Sequence, residues 1–247
     1  MQQPDLTIII PAYSEQRRIG ASLDELATFL RQDSFFKRKK VETLVVVADT
    51  SDRTAQIVLS KQHLFVTTFR LLRPGPHVGK GRDVQYGVFR ATGRVIVFMD
   101  ADLATPLHHL ERFFAACLDG SELVIGTRNL RIYRSNKARN IFSYIGNCLY
   151  QLMSGLHIED TQCGFKMFTN DAAQLCFSKL TILGWGFDIE VLAIAKVNGL
   201  TIAPLRVDDW EDKPHSTYNE NVCRITTRNI CDYAKINWGR LWGKYRA

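Results

Sequence analysis

Asp100 and Asp102, separated only by Ala101, directly follow the apolar run Val95-Ile96-Val97-Phe98-Met99. Magnesium or manganese is commonly held by one or two carboxylates and completed by phosphate oxygens of a substrate. A carboxylate pair at the end of a buried strand can present such an ion to a phosphorylated ligand, although acidic pairs also occur in solvated turns. Glu15, just past Leu6–Ile10, can accept hydrogen bonds from a base or ribose, or act as a carboxylate favoured at a helix N-terminus. Asp49 offers the same choice between ligand contact and a local turn. Lys80 lies between Gly79 and Gly81, where the backbone can approach a ligand closely; its alternative is a solvated helix-start lysine. Arg128 and Arg139 carry guanidinium forks that match phosphate oxygens, or else belong to a solvated basic face. His108, His109 and His157 have no metal-ligand spacing supported by nearby cysteines and read as structural or exposed.

These residues need elements to position them. Leu6-Thr7-Ile8-Ile9-Ile10 is a continuous apolar run stopped by Pro11, the pattern of a buried parallel strand. Helical spacing follows over 18–32 through Ile19, Leu23, Leu26 and Leu30. A second strand is expected over Thr43–Val47, a helix over Thr54–Lys61 capped by Asp52, and a third strand over Phe65–Leu72. A helix begins at Gly79-Lys80-Gly81 and runs to about Ala91; the strand 95–99, a helix near 107–118 and the strand Leu123–Ile125 complete the series. This alternation predicts an α/β fold with a mostly parallel central sheet and helices on both faces. Ligands of such sheets bind beyond the carboxyl ends of the strands. Pro11–Glu15, Asp49–Asp52 and Asp100–Asp102 all fall there, so they converge on one crevice.

The second half differs. Residues 136–156 carry a broad apolar helical face (Ile141, Ile145, Leu149) with basic residues near its start, which suits either membrane-surface docking or core packing. The polar loop 160–166 enters a short apolar stretch; a helix over 187–198 and a strand near Thr201–Val207 follow. The tail interleaves Trp238 and Trp242 with Lys235, Arg240 and Lys244, a composition suited to a membrane interface. The simplest division is one domain over 1–216 and a basic, aromatic extension over 217–247.

The net charge of +7 favours anionic partners, but no nucleic-acid recognition motif accompanies it, so a nucleic-acid partner is not expected. None of the six cysteines forms a CxxC pair, which argues against a zinc or dithiol site and fits a reducing compartment. Met1–Asp5 lacks the regions of a signal peptide, and no run approaches the 18 or so apolar residues of a membrane span. A cytoplasmic protein, attached to a membrane at most peripherally, is therefore expected.

In order and spacing, Ile10-Pro11-Ala12-Tyr13-Ser14-Glu15, Asp49-Thr50-Ser51-Asp52, Gly79-Lys80-Gly81 and Asp100-Ala101-Asp102 resemble the family 2 glycosyltransferases. Ile125-Gly126-Thr127-Arg128 and Arg139-Asn140-Ile141-Phe142-Ser143 resemble the polyprenyl-phosphate sugar synthases. Asp160-Thr161-Gln162-Cys163-Gly164-Phe165-Lys166-Met167-Phe168 is similar to the dolichyl-phosphate glucosyltransferase branch, with the mannose synthases as near relatives. The resemblance covers about residues 6–216. It implies the GT-A fold, Mg2+ or Mn2+ on Asp100 and Asp102, and a nucleotide sugar held by Pro11, Ala12, Tyr13, Glu15, Asp49, Lys80, Asp100 and Ala101. Arg128 and Arg139 would hold the phosphate of a polyprenyl or dolichyl acceptor, and with Asp102 they form the expected catalytic set. The implied reaction is inverting hexose transfer, most simply from UDP-glucose; GDP-mannose is the alternative donor, and a catalytically silent nucleotide- or lipid-binding protein the alternative of another class. The chain departs from the family pattern at Ala48-Asp49-Thr50-Ser51, where paired acids are usual, at Ala104, and at Lys213-Pro214-His215-Ser216.

Overall fold

The computed structural model describes residues 3–128, 160–210, 231–232, 234–240 and 242–246. The expected helix over 136–156, with Arg139 and His157, and the 213–216 element lie outside the described residues, as does the expected 216/217 boundary.

Seven described strands form one sheet: β1 (Leu6–Ala12), β2 (Val41–Val47), β3 (Phe69–Leu72), β4 (Val95–Phe98), β5 (Leu123–Arg128), β6 (Lys166–Thr169) and β7 (Ile202–Val207). Their order is β3-β2-β1-β4-β6-β5-β7. Six run parallel; β6 alone is antiparallel, wedged between β4 and β5. The helices that position the site are α1 (Ile19–Gln32), α2 (Thr54–Lys61), α3 (Lys80–Val88), α4 (His109–Leu118), α5 (Asn170–Ser178) and α6 (Phe187–Val197).

Every residue of β1 and β2 is buried, as a strand covered on both faces requires. Successive side chains point to opposite faces. Leu6, Ile8 and Ile10 accordingly join the core beneath α1, α2 and α4, whereas Ile9 joins the core beneath α3, α5 and α6. On α1 the buried Ile19, Leu23, Leu26 and Ala27 recur at helical spacing and seal the first core. Helix α3 lies close on the second face because residue 87 is glycine: a Cβ there would stand 2.7 Å from Ile9 Cγ2. Helix α6 is buried from Phe187 through Ala195, all round rather than on one stripe. Its outer face is covered by the C-terminal residues Ile236 and Tyr245, and Tyr245 donates its hydroxyl to Glu190 at 2.8 Å. The tail thus packs against the sheet domain at these points.

The third strand is shorter than the sequence suggests: pairing to β2 begins only at Phe69, and residues 65–68 precede it. Asp52 does accept the Thr54 amide at 3.0 Å and so stabilises the start of α2. Strand β6 and helix α5 are absent from the sequence reading. β6 is only four residues long and opens on Lys166, which is fully buried with its ammonium 2.5 Å from Asp188 Oδ1 and 2.7 Å from the Cys163 carbonyl.

Removing one partner of a buried ion pair leaves an uncompensated charge in the core and costs roughly 3–5 kcal/mol. Asp188→Leu should therefore lower the unfolding midpoint markedly, and the double variant Lys166→Met/Asp188→Leu should recover most of the loss. Equilibrium denaturation of the two proteins checks this; equal destabilisation by both would show that packing, not charge, is what the pair supplies.

Candidate active site

The carboxyl ends of β1, β4 and β5 carry the charged residues. Beyond β1 the chain turns sharply at Ser14, one of two described non-glycine residues with positive φ (58°). The other, Leu103 (φ 52°), follows Asp102. Both turns thus adopt a left-handed conformation that is uncommon for such residues and concentrates at functional sites. The first turn delivers Glu15, whose backbone amide donates to Thr54 Oγ1 at 2.8 Å. The second delivers Asp102, whose Oδ1 accepts the Ala104 amide at 3.1 Å.

Between them stands Arg18, at the start of α1. Its Nη2 donates to Glu15 Oε1 at 2.6 Å, its Nε to Glu15 Oε2, and its Nη1 to Asp102 Oδ2 at 3.0 Å. Asp100 faces Lys80, with Nζ to Oδ1 at 2.5 Å. The same ammonium lies 5.5 Å from the centre of the Trp185 ring. Burial works against the charged form of Lys80, but Asp100, Asp188 and Asp102 outweigh it and hold the ammonium above its usual range. Asp102 is raised, first by burial and then by the like charge of Asp100, with Arg18 opposing. The Gly79-Lys80-Gly81 spacing has a steric cause: a Cβ on Gly79 would lie 2.5 Å from the Leu183 carbonyl oxygen, and one on Gly81 2.6 Å from Phe187 Cβ. Only glycines let Lys80 sit this close to the α6 approach.

Arg128 ends β5 in a bidentate fork with Asp160, Nε to Oδ2 at 2.5 Å and Nη2 to Oδ1 at 3.0 Å, beside the Trp210 ring at 4.9 Å. Burial disfavours its charge, but Asp160 more than compensates, so the guanidinium is held firmly protonated. The loop after Asp160 returns to the carboxylate pair: a Cβ on Gly164 would fall 2.0 Å from Asp100 Oδ2. Asp160 through Gly164 therefore physically couples Arg128 to Asp100.

On the flank, Asp49 is exposed and paired with Arg73 at 3.0 Å, while its amide donates to the Gly75 carbonyl at 2.9 Å. Tyr13 stacks on His77 with ring centres 3.8 Å apart. His77 Nδ1 in turn lies 3.7 Å from Asp83 Oδ2, and Asp83 Oδ1 is buried with no hydrogen-bond partner among the described residues. Pro11 and Ala12 are buried at the end of β1, and Ala101 is buried between the two acids.

The site thus brings together Glu15, Lys80, Asp100, Asp102 and Arg128 as the sequence suggests, with Asp49 and Tyr13 on its flank; Arg139 lies outside the described residues. Sequence reasoning passed over Arg18, His77, Asp188 and the pairing of Arg128 with Asp160. Arg18 left only the weak signal of a basic residue three positions after Glu15.

The donor set fits a divalent cation. Two hard carboxylate oxygens at a strand end suit Mg2+ or Mn2+. Asp100 keeps 39% of its side chain exposed, so its oxygens remain reachable. A second group with metal-ligand character, His108, His109 and Asp209, reads differently. Arg112 donates to His109 Nδ1 at 3.1 Å, which makes that nitrogen the acceptor and leaves Nε2–H to donate to Asp209 at 2.5 Å. This is a hydrogen-bonded latch between α4 and the turn after β7, and that turn carries Trp210.

Burial pushes the Asp83 carboxyl up to about 7, against the opposing charge of Arg82. An unfolded aspartate titrates at about 3.9. Between these values the folded state holds a proton that the unfolded chain has released, so stability falls as pH rises from about 4 to 7. Asp83→Asn should gain thermal stability over the parent at pH 8, and the gain should shrink toward zero near pH 4. Thermal melts at both pH values check it; a gain independent of pH would contradict this assignment.

Residues 7–176 match the description "Glycosyl transferase family 2". A dolichyl-phosphate beta-glucosyltransferase of Trichomonas vaginalis is 33% identical over 217 residues, covering 84% of this chain and 66% of that protein. One of Dictyostelium discoideum is also 33% identical, over 221 residues with the same coverage. The chain therefore spans just under two thirds of these relatives' length. Among solved structures, glucosyl-3-phosphoglycerate synthase from Mycobacterium tuberculosis with Mn2+, UDP and glucosyl-3-phosphoglycerate superposes with a TM-score of 0.66 at 17% identity, over 94% of this chain and 80% of that one. A mannosyltransferase from Pyrobaculum calidifontis with GDP-mannose and Mn2+ gives 0.59 at 16% identity, over 94% of this chain and 64% of that one. These likenesses establish the GT-A fold. With the family match extending from β1 into α5, this chain belongs to glycosyl transferase family 2.

Proposed function

We propose that the chain transfers a glucosyl residue from UDP-glucose to a polyprenyl or dolichyl phosphate, inverting the anomeric carbon. The observation that carries this reading is the gathering of Asp100, Asp102, Lys80 and Arg128 at one edge of the sheet. The names of the sequence relatives support glucose and dolichyl phosphate. The UDP and Mn2+ of the M. tuberculosis synthase support the donor and the metal. In this reading Pro11, Ala12, Tyr13, Glu15, Asp49 and Ala101 form the nucleotide side. Asp100 and Asp102 hold Mg2+ or Mn2+, which when bound neutralises charge on the departing diphosphate.

The acceptor phosphate attacks the anomeric carbon, forming a new carbon–oxygen bond as the bond to the nucleoside diphosphate breaks. A phosphate monoester is largely ionised at neutral pH. The site therefore needs no strong general base; its work is positioning and charge stabilisation. Lys80 supplies positive charge beside the diphosphate, and Arg128, rigidly forked by Asp160, orients the acceptor phosphate, a role shared in this reading with Arg139. The reading includes peripheral contact with the cytoplasmic face of a membrane. Trp238 and Trp242, 65% and 73% exposed with ring centres 5.5 Å apart, support it. No helix among the described residues is long and apolar enough to cross a membrane.

Turnover of UDP-glucose and GDP-mannose with a short-chain polyprenyl phosphate tests the proposal. Glucose transfer should require divalent metal, stop on EDTA treatment and be nearly abolished by Asp102→Asn. Preferential mannose transfer from GDP-mannose would replace the donor assignment, and no transfer from either would favour the silent binding protein.

Arg128→Lys keeps a positive charge opposite Asp160 but loses the fork. Hydrogen bonds to charged groups contribute about 1.5–3 kcal/mol. The acceptor-dependent rate should therefore fall roughly tenfold to a hundredfold with little change in UDP affinity. A loss confined to UDP binding would move Arg128 to the donor side.

A further inference from the structure

Arg18 bridges two elements 84 residues apart in sequence. Its guanidinium holds both oxygens of Glu15 and one oxygen of Asp102, and the three side chains are largely withdrawn from water. Both oxygens of Asp102 are thereby engaged: Ala104 donates to Oδ1 and Arg18 to Oδ2. Asp100 is paired at Oδ1 with Lys80. At this edge Glu15, Asp100 and Asp102 contribute three negative charges, and Arg18 and Lys80 two positive ones. The cluster carries one net negative charge, and each cation sits on an oxygen of the expected metal-binding pair.

We propose that Arg18 is a resident counter-cation of the carboxylate pair, occupying Asp102 when no divalent ion is bound and turning to the anionic donor when one is. The proposal rests on the reading of Asp100 and Asp102 as metal ligands. The physical reason is charge balance in a desolvated cluster. Two neighbouring carboxylates, one of them largely buried, are costly to hold together unpaired. A divalent ion adds two positive charges to a cluster whose net charge is minus one, which makes the edge net positive. Arg18 then loses its electrostatic reason to stay on Asp102. Glu15 still anchors it through Nε and Nη2, and Nη1, which faces Asp102, is the donor that would turn to a diphosphate oxygen. In this role Arg18 is a positioning residue for the carboxylates and a charge donor for the nucleotide. Glu15 then acts through Arg18, in addition to any contact of its own with base or ribose.

The test is binding of Mn2+ alone to the full chain, followed by the spin-resonance signal of free Mn2+, and then calorimetric binding of UDP in saturating Mn2+. Arg18→Gln should bind Mn2+ more tightly than the parent, by roughly tenfold, the scale of one charge-assisted hydrogen bond. It should bind UDP more weakly by a similar factor. Arg18→Lys, which keeps the charge, should return Mn2+ affinity toward the parent value and guards against a variant that merely misfolds. Unchanged or weaker Mn2+ affinity in Arg18→Gln, or unchanged UDP affinity, overturns the proposal while leaving the metal reading intact. Failure of the parent to bind Mn2+ overturns both.

Discussion

The requirement that a desolvated charge find a partner governs the carboxyl edge of this sheet. Glu15, Asp100, Asp102, Asp160 and Asp188 are gathered there with Arg18, Lys80, Arg128 and Lys166, and each has an opposite charge within hydrogen-bonding distance. Such pairs contribute little net stability once desolvation is counted, but losing one member is costly. Their value lies in geometry. Arg18 ties the turn after β1 to the turn after β4, Lys80 ties α3 to Asp100, and Asp160 ties the loop before β6 to the end of β5, so these pairs help to set the spacing of the site.

The antiparallel strand β6 makes this arrangement possible. β6 enters between β4 and β5, and its antiparallel direction brings the loop before it, Asp160–Phe165, back to the carboxyl edge. Asp160 meets Arg128 there, and Gly164 passes so close to Asp100 that a side chain would collide with the carboxylate. Lys166, the first residue of the strand, is pinned by Asp188 from the start of α6. A parallel strand at this position would have brought its preceding loop to the opposite edge. The direction of one short strand thus decides whether the two halves of the chain share a site.

The buried half of the molecule supports the same edge. Helix α6 is buried from Phe187 through Ala195 between the sheet and the covering Ile236 and Tyr245, and its N-terminal turn presents Asp188 and backs Trp185. Helix α3 can lie close to the sheet through Gly87 and to the α6 approach through Gly81, and so brings Lys80 to Asp100. The carboxyl edge and the core are therefore one packing problem, with small residues where backbones meet and charged residues where strands end.

The sequence by itself determined most of the scaffold. Continuous apolar runs at Leu6–Ile10, Thr43–Val47 and Val95–Met99, alternating with helical periodicity, specify a parallel sheet covered on both faces, because only strands buried twice read this way. They also determine that Pro11–Glu15, Asp49–Asp52 and Asp100–Asp102 lie at one edge. The tertiary structure alone decided the rest. Lys166 looks like a solvent residue until Asp188 and the Cys163 carbonyl satisfy its ammonium, and so β6 could not be read from its four residues. Arg18 shows in the sequence only as a basic residue three positions after Glu15; its second partner, Asp102, lies 84 residues away. Periodicity records which face of an element is buried, whereas the partner of a charge depends on which distant strand end is brought beside it, and that is fixed only when the sheet assembles.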